Sequence, residues 1–199
     1  MDSTAFDILQ AIGLGLAFGL RPALAPLVVA LCALGNLGVD FEGTSFDFLE
    51  NPIVVVVIAA VALGAIADSA RGAANGKGLD SRLWLLVAVV FGALFGAGSV
   101  NEHSDSLAWL GGVVGGLSAV LAWAALTPLI AGAKQRLAGE AEAGLILPAL
   151  VEVVAVVTAF LSLIVPPLAV VALIAVLVLL VRGRGKSGSS YAGLRTLTK

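Results

Sequence analysis

Six times along this chain an apolar run long enough, or nearly long enough, to cross a bilayer is closed by polar residues: 8–36, 52–67, 83–98, 107–132, 144–161 and 164–181. Hydrocarbon offers no water to a bare N–H or C=O, so whatever crosses it must be a helix or part of a closed barrel. A spanning helix needs about 20 mostly apolar residues. Barrel strands would alternate apolar and polar residues, whereas these runs are apolar on every face. With 60% hydrophobic and 12% charged residues, a soluble domain of this length would lack polar surface. The expected fold is all-α, a polytopic transmembrane helix bundle of about six spans. It forms one domain over 1–182, followed by a flexible basic tail over 183–199.

Charge sorts the connections. Arg71, Lys77 and Arg82 follow the second run, Lys134 and Arg136 follow the fourth, and Arg182, Arg184, Lys186, Arg195 and Lys199 follow the last. The alternate connections carry Asp40, Glu42, Asp47, Glu50, Glu102 and Asp105 and no Lys or Arg. Under the positive-inside rule the basic set is cytoplasmic. Six spans then put both termini in the cytoplasm of a bacterial cell, with the bundle in the inner membrane. Residues 1–7 hold two acids and no base, the reverse of a signal peptide's basic start. The basic tail implies weak attraction to anionic lipid. Trp84 and Trp109 stand at run ends as interfacial anchors, while Trp123 lies deeper. The 40–50 connection reads as a surface or interfacial turn whose Phe41, Phe46, Phe48 and Leu49 can dip into the headgroups.

Of the eleven Lys and Arg residues, Arg21 alone lies deep inside an apolar run. Intramembrane charge costs about 2.5–3.5 kcal/mol on insertion scales and marks bundle interiors, cavities and functional sites. Pro22 and Pro26 each remove a backbone donor, so the first run is expected to break at Arg21 near the midplane. A second half-helix beginning near Pro22 would turn free N–H groups and its positive dipole end toward the break. Glu152 is the second intramembrane charge, at comparable depth. Isolated, each charge is costly; facing one another, each stabilises the other's charged form. Arg21 and Glu152 are therefore expected to meet, directly or through water. The candidate site for a small anion is Arg21, Glu152, Gly19 and Pro22. Asp68 and Arg71, closing the second run, read as a solvated helix end with a local ion pair, or as a gate at the cytoplasmic mouth.

Three runs precede the 101–106 connection and three follow it, so related halves, 1–100 and 101–182, would have inverted topology. Residues 19–25 can be laid on 116–122, and Asn51-Pro52 on Leu147-Pro148. Gly15/Gly19, Gly92/Gly96, Gly111/Gly115 and Gly112/Gly116 share the four-residue spacing that lets helices approach closely, which allows a tight bundle or a homo-oligomer. His103 is the sole histidine and Cys32 the sole cysteine. No grouping has metal-ligand spacing, a Ser/His/Asp set is implausible, and no nucleotide motif is present. No enzyme, no cofactor and no nucleic-acid partner are expected; the partners are the lipid bilayer and a small anion.

At Gly19-Leu20-Arg21-Pro22-Ala23-Leu24-Ala25-Pro26 the chain resembles the bacterial membrane family catalogued as domain of unknown function 4126. That family has a Gly-Leu-Arg-Ala-aromatic-Leu-Pro stretch in its first apolar segment. Here Gly19, Leu20 and Arg21 match, Pro22 replaces the small residue, and Pro26 lies near the family proline. The family's Ala-Asp-Lys is echoed by Ala67-Asp68 with Ser69 in place of the Lys. Its Asn-Pro…Glu-Asp helix is echoed by Leu147-Pro148…Glu152, with Val153 after the Glu. The resemblance implies a small multi-pass bacterial membrane protein and no established activity. Two functions stay open at this point. One is a transporter or channel for a small anionic solute, with Glu152 as counter-charge or proton carrier. The other is a non-transporting scaffold or accessory subunit in which Arg21–Glu152 locks the fold.

Overall fold

A computed structural model describes residues 3–75, 81–136 and 143–185, and among them every regular element is helical. The helices are α1 (Ser3–Leu20), α2 (Leu24–Leu34), α3 (Pro52–Asn75), α4 (Ser81–Asn101), α5 (Ala108–Arg136), α6 (Ala143–Ile164) and α7 (Leu168–Gly185). Four are long and apolar enough to cross a membrane, over Pro52–Arg71, Arg82–Asn101, Asp105–Ala133 and Ile146–Ile164. The remaining three, α1, α2 and α7, are shorter apolar helices. The all-helical, membrane-compatible architecture is as expected, with four helices of spanning length where six were expected. Helix α7 continues to Gly185, and the tail beyond it lies outside the described residues, as do Lys77, Lys186, Arg195 and Lys199.

Proline chemistry sets the breaks. A residue before proline is pushed out of the helical region, and α1 ends at Leu20, with the Arg21 N–H closing its last turn on the Ala17 carbonyl at 3.2 Å. Pro26 does not interrupt α2. It falls in that helix's first turn, where a backbone N–H has no intrahelical partner. Pro166 and Pro167 likewise separate α6 from α7, a few residues later than the expected boundary. Pro128 lies inside α5 and Pro148 inside α6.

Helix directions change the reading of the first run. Gly13 lies against Ser162 and Arg21 against Glu152, so α1 runs antiparallel to α6. Leu24 also meets Glu152, but Gly38 lies against Leu163, so α2 runs parallel to α6 and back along α1. The Gln10 amide donates to the Gly38 carbonyl at 2.7 Å and joins the two ends. Residues 8–36 therefore form a helical hairpin that enters and leaves at one end of the bundle, not one broken span. Helix α7 packs parallel to α1, with Ala169 near Gly13 and Val176 and Leu180 clustered with Leu16 and Leu20. The start of α1 and the end of α7 are thus at opposite ends of the bundle, where six full spans were expected to bring the two termini to one face. The charge alternation could not detect this, because residues 1–7 contain no Lys or Arg to place them.

Helix α1 is the hub, enclosed by α4, α5, α6 and α7. Glycine permits this. A Cβ on Gly15 would overlap the Gly115 carbonyl, and one on Gly19 the Ala119 carbonyl. Gly96 and Gly111, and Gly92 and Gly115, face each other where α4 crosses α5. The glycine faces that allowed a homo-oligomer are occupied within the chain. Because Gly15 pairs with Gly115 and Gly19 with Ala119, α1 and α5 run parallel, whereas an inverted repeat that matched 19–25 to 116–122 would set them antiparallel. The 40–50 connection also departs from expectation. Phe41 and Leu49 are buried, Phe41 sits on Phe95 with ring centres 6.1 Å apart, and its backbone N–H donates to the Glu50 carboxylate at 2.6 Å. Phe48 remains exposed. This segment plugs the space above the short α2.

Candidate functional site

Arg21 stands in the break between α1 and α2, freed from helical geometry by Pro22. Its Nε donates to Glu152 Oε2 at 3.0 Å, and a terminal guanidinium nitrogen donates to the Ser69 hydroxyl. Ser69 passes the bond on to the Ala65 carbonyl at 2.9 Å, within α3. The other Glu152 oxygen, Oε1, accepts the Leu24 N–H at the first residue of α2. One carboxylate thus holds a cation with one oxygen and caps a helix N-terminus with the other, where the dipole favours negative charge. The N-cap residue itself, Ala23, has no side chain that could do so. The four elements α1, α2, α3 and α6 are tied together in one charge-neutral network.

The pair is nearly dry. The Arg21 side chain is 19% exposed and that of Glu152 is 10% exposed. The expected meeting of Arg21 and Glu152 is direct. Gly19 and Pro22 are both buried beside it, but for different reasons: Gly19 admits the α5 backbone, and Pro22 ends α1. Gly19 contributes space, not a ligand contact. The site lies just past the end of α1 and near the middle of α6, with Ser69 in the last third of α3. It is therefore displaced from the centre toward the end that carries Arg71, Arg82 and Arg182.

Asp68 is not a solvated helix end. It is buried, and its Oδ2 accepts the Trp84 indole N–H at 2.9 Å, which fastens α3 to α4. Arg71 is exposed one turn on. Ser69 and the Leu24 N–H were not read as site residues from the sequence, and Trp84 was read only as an interfacial anchor. Ser69 had a signal: it is polar, adjoins Asp68, and lies within the reach of an apolar helix. The Leu24 N–H had none, since a backbone donor leaves no trace in residue type.

A second polar cluster occupies the opposite end. His103 Nδ1 lies 3.2 Å from Asp7 Oδ2, and the Ser99 hydroxyl donates to Gln10 Oε1 at 2.7 Å. Glu102 is exposed, but partial desolvation of its carboxyl pushes it above the usual carboxylate range; His103 pulls it back, while the Asp7 and Asp40 carboxylates add to the rise. These contacts join the start of α1, the 35–51 connection and the 101–107 turn. Among the described residues no group of three His, Cys, Asp or Glu side chains could hold a metal ion.

No protein-family model, no curated protein and no solved structure matches this chain.

Proposed function

We propose that the chain is a small multi-pass protein of the bacterial inner membrane that moves a small anionic solute through a site built on Arg21 and Glu152. In this reading α3 to α7 cross the bilayer, the α1–α2 hairpin re-enters from the outside, and the end carrying Arg71, Arg82 and Arg182 faces the cytoplasm. Kinship with the family of domain of unknown function 4126 belongs to the same proposal and rests on Gly19-Leu20-Arg21 and the echoes at Ala67-Asp68 and Glu152.

One observation carries the reading: a guanidinium and a helix N-terminus converge on a carboxylate at the tip of a hairpin that ends inside the bundle. Interrupted helices whose N-termini point at anionic groups are the way transporter folds hold anionic substrates within the membrane. The basic end nearest the site would concentrate anions at its approach. A second reading has its own support. Each Glu152 oxygen has a partner, and Arg21 bonds both Glu152 and Ser69, as a purely structural clasp would require.

Solute flux in proteoliposomes tests both readings, with small anions screened for wild type, Arg21→Gln and Glu152→Gln. Transport predicts flux that Arg21→Gln abolishes while the variant stays folded. The clasp predicts no flux for any anion and a similar loss of stability in both variants.

A further inference from the structure

We propose that the seat formed by Arg21 and the Leu24 N–H is a site for a small free monocarboxylate, which gains it only when Glu152 takes up a proton and withdraws. This rests on the anion-transport reading and gives it a substrate class and a coupling rule. The seat engages both oxygens of one carboxylate group, Oε1 on a backbone N–H and Oε2 on Arg21 Nε. A planar two-oxygen anion gives each donor an oxygen of its own, whereas a halide would have to share one atom between them. Glu152 carries that group on two methylenes, so its side chain is an acetate on a short tether, already in place. Ser69 does not compete for the anion, because its hydroxyl proton is committed to the Ala65 carbonyl.

Charge balance then fixes the coupling. Arg21 with the Glu152 carboxylate is neutral. Adding a second carboxylate would leave one buried negative charge without a partner, which costs several kcal/mol. Protonation of Glu152 by a proton from solvent restores neutrality; the O–H bond is the only covalent bond formed, and the two hydrogen bonds Glu152 gives up pass to the incoming anion. The proton and the anion therefore bind with positive cooperativity, and each must raise the affinity for the other by the same factor. Transport on this scheme carries a proton and a carboxylate in the same direction.

The other charged groups on the elements around α6 do not replace Glu152. On α3, Asp68 is turned to Trp84 of α4 and Arg71 is exposed. On α1, Asp7 is at the far end with His103, and α2 offers only Cys32, toward its C-terminal end. The ionisable residues of α5 (Lys134, Arg136) and α7 (Arg182, Arg184) stand at their helix ends.

The test is equilibrium binding of radiolabelled acetate to the full chain in detergent, between about pH 6 and pH 8, where acetate stays ionised. Proton uptake is read in parallel in weakly buffered solution. Wild type is expected to gain about tenfold in affinity for each unit of falling pH and to take up about one proton per acetate bound. Glu152→Gln should bind acetate at least as tightly as wild type does at the acid limit, with no pH dependence and no proton uptake. Arg21→Gln should not bind it. A second measurement covers variants that fold poorly: acetate should raise the melting temperature of Glu152→Ala, and chloride at equal ionic strength should not. Acetate bound with the same affinity at every pH, loss of binding in folded Glu152→Gln, or chloride displacing acetate one for one would each overturn the proposal and leave anion transport standing. No binding of acetate, formate or chloride by wild type or Glu152→Gln at any pH would overturn anion transport itself.

Discussion

Replacing Arg21 by Met keeps the bulk of the side chain and removes its charge and the two donors that hold Glu152 and Ser69. Glu152 would be left with the Leu24 N–H alone, in a site where its side chain is only 10% exposed. Breaking a buried pair from one side costs about 3–5 kcal/mol because the remaining charge is uncompensated. The dryness of Glu152 places Arg21→Met at the upper end of that range. Glu152→Gln should cost less, about 3 kcal/mol. Its amide oxygen can still cap Leu24, and the stranded guanidinium keeps Ser69 and the 19% of its surface that remains accessible. Combining the two leaves no uncompensated charge, so the double variant should cost no more than the worse single. The coupling energy is then about 3 kcal/mol, at the upper end for residues in contact. Reversible unfolding by SDS in mixed micelles gives all four free energies of the cycle. Additivity within about 0.5 kcal/mol would refute the reasoning, because it would mean that the two charges do not depend on one another in the folded protein.

Other expectations follow from the packing and the two ends. Gly115→Ala, whose new methyl would overlap the Gly92 carbonyl, should destabilise by at least about 1–3 kcal/mol in the same assay. Gly132→Ala, where a Cβ meets nothing within 4 Å, should be neutral or stabilising by up to about 1 kcal/mol. In a Cys32→Ser background, a cysteine at Ser104 should react with an impermeant thiol reagent from the same face of oriented vesicles as an N-terminal tag, and a cysteine at Arg182 from the opposite face. Matching faces for the N-terminal tag and Arg182 would restore a six-span topology. Finally, a carboxyl that titrates higher in the folded than in the unfolded chain binds its proton more readily when folded. Stability therefore falls as pH rises between the two values, and the penalty is complete above the folded value. The partial desolvation of Glu102, near Asp7 and Asp40, predicts slightly greater stability at about pH 5 than at pH 8, and Glu102→Gln should flatten that slope.

Charge and proline were the legible parts of this fold. Arg21 and Glu152 were readable as partners because each is costly in hydrocarbon without the other. Pro22 announced where α1 ends. What proline does not specify is direction. A break permits a kink, a jog or a reversal, and the choice here is made by tertiary contacts, with Gln10 bonded to Gly38 and Phe41 buried against Phe95. Neither contact has a local pattern. The parallel packing of α1 on α5 was hidden for a related reason: four-residue glycine spacing says that a helix can be approached closely, but not by which neighbour or in which sense. The plug formed by Phe41 and Leu49 was misread as interfacial because aromatic residues in an acidic loop suit a headgroup layer and a protein core equally well.

The central position of α1 bears on how the protein is made. Helix α1 is made before the helices that enclose it, yet it becomes the innermost, and the cation that follows it, Arg21, finds its carboxylate only on α6. Until α6 emerges, Arg21 has no anionic partner, and the helices that later enclose α1 do not yet exist. A nascent chain cut off before residue 152 must therefore keep its hairpin near water or in the shelter of the insertion machinery. Docking of α6 is the event that lets the hairpin settle into its final place, so a late helix commits an early one.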